Sequence, residues 1–254
     1  MSLVRVCDPA GRPRGTGFAA DDLGTVVTSH EAVDGLARIV LHAPGERTCV
    51  VPADAVVALP ELGLALVRTE GLGLRPLPLS FRSAVPRGTY VRIAACGWRE
   101  ARVLGCSPAT YTATDRCHLL PAALELAIGT SGADALRLGG GAAGGPVVDA
   151  ASGAVLGVLG TALLPQAPGT DAAGEPLRAA GLAVPLPPAA SCTGPLGELL
   201  DRNAATVPAY GPDLNLAGAL HLTATSAGSD GPRPDLLEPV ERPALTAEFD
   251  AFTT

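Results

Sequence analysis

Of the four histidines in the chain, His30 alone has surroundings that suit chemistry. It follows the strand-like run Thr25-Val26-Val27-Thr28-Ser29 and precedes Glu31, Ala32, Val33 and an Asp34-Gly35 turn. A strand that ends in Thr-Ser and breaks into a short turn brings the next side chain to a rim, where an imidazole can face a cleft and act as a general base. His42, His118 and His221 have no comparable context. The second chemical feature is the loop Gly139-Gly140-Gly141-Ala142-Ala143-Gly144-Gly145-Pro146. Glycines at this density let the backbone fold into a nest whose N–H groups point at one spot. The same composition also suits a flexible linker, a hairpin turn or a phosphate cradle. A phosphate loop ends in Gly-Lys-Ser/Thr and opens a helix. This chain has no lysine, and Val147-Val148-Asp149, a Ser152-Gly153 turn and Ala154 to Leu159 follow the loop. That order reads as strand, turn, strand.

Four segments, in order, resemble the trypsin-like serine peptidases of the bacterial Deg-type branch. The Gly-rich loop is similar to the family's Gly-Asp/Asn-Ser-Gly-Gly-Pro, with Ala143 at the serine position. Gly15-Thr16-Gly17-Phe18 and Thr25 to His30 look like the two strands that lead to the catalytic histidine. Glu61-Leu62-Gly63-Leu64-Ala65-Leu66 resembles the segment in which an aspartate precedes Leu-Ala-Leu, with Gly63 at the aspartate position. Leu156 to Leu163 and Ala180 to Leu186 resemble the strands that flank the substrate channel. The resemblance spans residues 15–186.

It implies a chymotrypsin-like double β-barrel and peptide hydrolysis by Ser/His/Asp chemistry, with neither metal nor organic cofactor. His30 corresponds to the base, and the backbone N–H groups of Gly141 and Ala143 to the oxyanion hole, which needs no side chain. Gly160, Thr161 and Ala162 correspond to the wall of the first subsite, and Arg137, six residues before Ala143, to its base. An arginine there favours an acidic side chain in the substrate. The pattern departs from the family in three places. Ala143 has no oxygen to attack a carbonyl, and Gly63 has no carboxylate to orient a base. Counted from Thr28, the family's histidine falls one residue later, on Glu31, so the imidazole is shifted. Glu61, two residues before Gly63, is a candidate substitute acid, because side chains two apart on a strand share a face. Set against that is Glu61 as an ordinary solvated residue beside Pro60.

The elements that must position these residues are short strands between Gly/Pro turns, an all-β pattern. A first β-barrel is expected over 1–75, with strands Thr16 to Asp21, Thr25 to Ser29, Ala37 to His42, Cys49 to Val57 and Leu62 to Thr69. A second barrel and closing helix are expected over 76–204, the helix around Leu196 to Arg202. Each barrel is expected to have six strands, and His30 and Ala143 are expected to face one cleft. Residues 205–254 read as a tail or linker to a further domain, with Leu214 to Thr225 as a strand pair and Ser226 to Pro234 as linker.

With 254 residues, 47% of them hydrophobic, the chain can bury a two-barrel core. A net charge of -7 and scattered arginines leave no basic stripe, which excludes nucleic acid as an expected partner. Apolar runs end before the roughly 18 residues of a membrane span, and no membrane partner is expected. The start, Met1 to Cys7, has no export-signal pattern, and the six cysteines are dispersed with no Cys-x-x-Cys pair. A cytoplasmic protein with reduced thiols and no metal follows. The functional expectation is a trypsin-like serine endopeptidase domain, acting on peptide or protein substrates but inert because Ala143 replaces the nucleophile. The alternative is a natural pseudoprotease that binds a peptide or partner within a larger bacterial protein. Engineered inactivation and natural loss both account for Ala143; the Gly63 and His30 departures favour natural loss. A β-domain that only spaces other modules is the third class.

Overall fold

Runs such as Leu3-Val4-Arg5-Val6-Cys7 bury Val4 and Val6 and expose Arg5, the alternation of a strand with one face on a core. In the computed structural model, fourteen such strands build two antiparallel sheets, and residues 3–70, 72–95, 97–128, 141–166, 181–188 and 191–227 are described. The first sheet contains β1 (Leu3–Cys7), β2 (Pro13–Ala19), β3 (Thr25–Ser29), β4 (Arg38–Ala43), β5 (Arg47–Pro52), β6 (Val56–Leu59) and β7 (Leu64–Arg68). Their order is β5-β4-β1-β2-β3-β7-β6. Its two edge strands, β5 and β6, are consecutive in the chain and joined only by the turn Ala53–Ala55, so the sheet curls until its edges meet at a corner.

The second sheet contains β8 (Tyr90–Ala94), β9 (Trp98–Thr112), β10 (Cys117–Ile128), β11 (Pro146–Asp149), β12 (Val155–Gly160), β13 (Leu163–Pro165) and β14 (Gly181–Pro185). Its order is β10-β14-β12-β11-β8-β9-β13, and β10 also pairs with β9. That pairing closes a ring of six strands and leaves β13 as an appended seventh. The architecture is thus the expected all-β pair of antiparallel barrels, but each sheet has seven strands among the described residues. The run read as one strand over Cys49 to Val57 breaks at Ala53–Ala55, where a 3-10 turn makes the corner.

Two apolar clusters fill the barrels. Val4, Val6, Ile39, Leu41 and Val67 pack in the first, and Val91, Ile93, Leu124, Leu126 and Leu156 in the second. A third cluster joins the barrels: Phe18 and Leu64 meet Leu120, Val184 and the helix residues Leu196, Leu199 and Leu200. Each such buried side chain contributes roughly 1.5–3 kcal/mol. The helix, α1 (Gly194–Thr206), carries Pro195 in its first turn, where the missing N–H is harmless, and runs beyond the expected bounds at both ends. Asn203, fully buried on α1, donates to Ala20 O at 2.6 Å and Leu77 O at 2.9 Å and accepts the Leu79 N–H at 2.9 Å.

Leu214 to Thr225 is helical rather than a strand pair: α2 spans Leu216–Ala227. Asn215 immediately before it is the reason. Its Oδ1 accepts the Gly218 N–H at 2.8 Å, an N-cap that favours helix over extended chain, and the Ala209 N–H at 3.0 Å. The described residues up to Ala219 form one compact unit, so the segment 205–219 belongs with the barrels rather than with a tail, and Leu220 begins a second unit. Asp213 contributes to that: it accepts hydrogen bonds from Ser80 at 2.7 Å and Arg82 Nε at 2.9 Å, while Arg82 Nη2 reaches Asp149 at 2.7 Å. Of the second unit, the described residues 220–227 complete α2, and the expected linker from residue 228 onward lies outside the described residues. No helix among the described residues is long and apolar enough to cross a membrane.

Candidate active-site cleft

The loop around Ala143 is stitched to both barrels by its backbone. The Thr16 N–H donates to Ala143 O at 2.7 Å, and the Thr16 hydroxyl donates to Gly141 O at 2.7 Å, both from β2. On the other side the Gly144 N–H donates to Leu159 O and the Leu159 N–H to Gly145 O, each at 2.8 Å. Gly144 has φ +81°, and a Cβ there would stand 2.1 Å from Thr16 O and from Thr28 Oγ1. A Cβ at Gly145 would lie 2.3 Å from Ala94 O. These two glycines are required by close approach, so the Gly-Gly-Pro spacing is structural whatever stands at 143. Ala143 itself is buried, and its N–H meets no acceptor among the described residues.

β3 ends at Ser29, and a three-residue 3-10 turn, His30–Ala32, sends successive side chains different ways. His30 is buried, its N–H donates to Gly63 O at 2.9 Å, and its Nδ1 pairs with the Tyr111 hydroxyl at 2.8 Å. The rings of His30 and Tyr111 meet edge to face, with centroids 5.7 Å apart, and Tyr111 also stacks on His118, with centroids 6.1 Å apart. Burial pulls the His30 imidazole below the ordinary histidine range, overcoming the opposite pull of the Asp34 carboxylate. Burial, with Asp34 and Glu31 adding to it, pushes the Tyr111 phenol well above its usual range, so it stays a neutral hydroxyl.

Glu31 goes into the cleft. Its Oε1 accepts the Thr161 N–H and its Oε2 the Ala162 N–H, both at 2.6 Å. Glu31, Ala143, Thr161, Pro13 and Arg14 line a cavity of about 250 Å³. Arg14 Nη2 donates to the main-chain oxygens of Glu31 and Asp34, each at 3.2 Å, which seats the guanidinium on the turn that carries Glu31, at the wall of the same cavity. Burial raises the Glu31 carboxyl above the usual carboxylate range, against the downward pull of its two backbone donors.

Gly63 closes the turn Pro60–Leu62 with φ +62°, and a Cβ there would meet Val184 Cγ2 at 3.0 Å and Leu120 Cδ1 at 3.4 Å. Backbone conformation and apolar neighbours both favour glycine at the aspartate position. Glu61 is exposed on the same turn; the His30 Nδ1 site that the sequence offered to it is filled by Tyr111. A Cβ at Gly160 would stand 2.5 Å from Leu163 Cγ, and Arg137, Gly139 and Gly140 lie outside the described residues. Sequence reasoning missed Tyr111, Arg14 and the hold of Glu31 on Thr161 and Ala162. Only Glu31 had a legible signal, its place three residues after Thr28.

Residues 15–158 match the sequence profile of the family described as "Trypsin-like peptidase domain". No protein of curated function matches the sequence. Among solved structures, the chain is similar to the active form of the Rv3671c protease from M. tuberculosis, with 19% identity, a TM-score of 0.52, and coverage of 76% of this chain and 82% of that one. It is also similar to the serine endoprotease from Yersinia pestis, with 16% identity, a TM-score of 0.48, and coverage of 79% of this chain and 63% of that one.

Proposed function

We propose that this chain, which belongs to the trypsin-like peptidase family, is a pseudoprotease of the bacterial Deg-type branch that holds a peptide or a partner segment in the cleft between its barrels. The observation that carries this reading is that Glu31, rather than an imidazole, lines the cavity beside Ala143 and Thr161. A carboxylate cannot serve there as the base that histidine is in a triad while it is committed to two N–H donors, and Ala143 offers no proton to remove. His30 is turned to Tyr111, and Gly63 contributes only a carbonyl to the His30 N–H. What remains is the binding apparatus. The backbone nest is held by Gly144 and Gly145, and beyond the shared Pro13 a larger depression of about 670 Å³ runs past Leu3, Arg5, Thr16 and His42. Peptide recognition of this kind rests on main-chain donors and small walls, and needs no nucleophile.

Ala143→Ser tests it. The serine variant is expected to show no labelling by a fluorophosphonate serine reagent and no turnover of casein or of short peptide amides. Reaction with the reagent at Ser in that variant would support the second reading, an endopeptidase domain silenced by alanine alone. The Ala143 N–H, which meets no acceptor among the described residues, is the observation that favours this second reading.

A further inference from the structure

We propose that the adjacent N–H groups of Thr161 and Ala162 form a carboxylate-binding site, which Glu31 fills from within the chain and which the carboxylate of an acidic peptide fills by displacing it. The occupant from outside rests on the peptide-holding reading above; the site itself does not.

The two N–H groups sit in a gap between paired segments. β12 ends its ladder with β14 at Gly160 opposite Leu182, and β13 begins its ladder with β9 at Leu163 opposite Tyr111. Among the described residues Thr161 and Ala162 therefore have no strand partner, and without Glu31 their donors lose the acceptors they have. In an extended strand successive N–H groups point to opposite sides, so a peptide paired as a strand uses every second one. Here two successive N–H groups converge on one group, each on its own oxygen at 2.6 Å. That is the geometry of a nest, and it matches an acceptor with two oxygens and a negative charge rather than a single peptide carbonyl. The Thr161 hydroxyl stands 3.4 Å from both oxygens. Arg14, held by two main-chain carbonyls, adds a positive charge at the wall of the same cavity. Glu31 crosses from the turn after β3, in the first barrel, to reach donors of the second, so rotation of one side chain vacates the site and opens the Ala143 cavity.

The experiment uses the full chain, ¹⁵N-labelled, as native protein, Glu31→Ala and Glu31→Gln. Each is titrated with acetate, with acetamide as the neutral control, while the amide signals of Thr161 and Ala162 are followed. Acetate is expected to move both signals saturably in Glu31→Ala, and at least tenfold more weakly in the native chain, where Glu31 competes; acetamide moves neither. If Glu31→Ala does not fold, Glu31→Gln carries the same titration, because its neutral amide is the weaker occupant. Acetate that leaves both signals unmoved in the folded variants overturns the site.

Three fluorescent peptides then separate the sources: Ala-Ala-Ala-Glu amide, Ala-Ala-Ala-Gln amide, and Ala-Ala-Ala-Ala with a free C-terminal carboxylate. Tighter binding of the first by tenfold or more assigns the site to acidic side chains, and of the third to chain termini. Equal binding of all three overturns the carboxylate as outside occupant of the site but leaves the peptide-holding reading standing. Acetate binding with no peptide uptake upholds the Glu31 site and overturns its outside occupant together with that reading.

Discussion

The Tyr111 hydroxyl lies 2.8 Å from Nδ1 of His30, so a residue of the second barrel holds the imidazole at the atom where an orienting carboxylate stands in a catalytic triad. A neutral phenol fixes the ring but does not favour its protonated form as a carboxylate would. The consequence is a histidine locked into the interface between barrels and poorly disposed to accept a proton.

Acidification should therefore weaken the fold through His30. Its pKa is lower in the folded chain than in the unfolded one, so the unfolded state binds the extra proton more readily. The stabilisation is complete above about pH 6.5 and is lost as pH falls below that, by about 1.4 kcal/mol for each unit of depression. Urea midpoints measured between pH 7.5 and 5.5 should fall more steeply for the native chain than for His30→Gln. Equal slopes would show that His30 is not the linked group.

Restoring two triad members should yield a weak enzyme at best. In the double variant Glu31→His with Ala143→Ser, the imidazole enters the cavity that Glu31 now lines, and the serine gains an oxygen. Gly63 still supplies no carboxylate, a loss that costs about 10⁴ in rate in triad enzymes. Slow fluorophosphonate labelling without measurable peptide turnover is the expected result. Adding Gly63→Asp should lower the thermal midpoint rather than rescue activity, because φ is +62° and Val184 crowds the new Cβ. Full peptidase activity in the triple variant would refute this account of the vacancy.

Gly144→Ala should be far more damaging than Gly153→Ala, although both glycines have positive φ. At Gly153 nothing lies within 4 Å of the new Cβ, so only backbone strain counts, about 1 kcal/mol. At Gly144 the Cβ meets Thr16 O and Thr28 Oγ1 at 2.1 Å, which adds overpacking and a displaced loop, for a total of about 3 kcal/mol or more. Chemical denaturation of the two variants gives the comparison directly.

Asn203→Ala should destabilise by about 3 kcal/mol, because it orphans the Leu79 N–H and the carbonyls of Ala20 and Leu77 in a buried site. Asn203→Asp should be no better, since a carboxylate cannot donate to those carbonyls. A loss of unfolding free energy in urea of less than about 1 kcal/mol for either would mean that α1 docks by its leucines alone.

Much of this molecule is local and is therefore written in the residue order. The strand pattern, the turn after Ser29, the absent oxygen at Ala143 and the absent carboxylate at Gly63 follow from side-chain chemistry and short-range backbone rules. Even the displacement of His30 is countable from Thr28. The helix over Leu216–Ala227 was locally encoded too, but its cap is a single residue, Asn215, easily outweighed by an apolar run that suits a strand equally well. What tertiary structure alone decided is which atoms meet across the two barrels. Tyr111 reaches His30 from 81 residues away, and Thr161 meets Glu31 from 130 residues away. No periodicity relates such positions, because their proximity is set by how two closed sheets pack and not by the chain between them. The bonding of the cleft, with an imidazole turned to a phenol and a glutamate seated on two backbone donors, exists only once both barrels have closed.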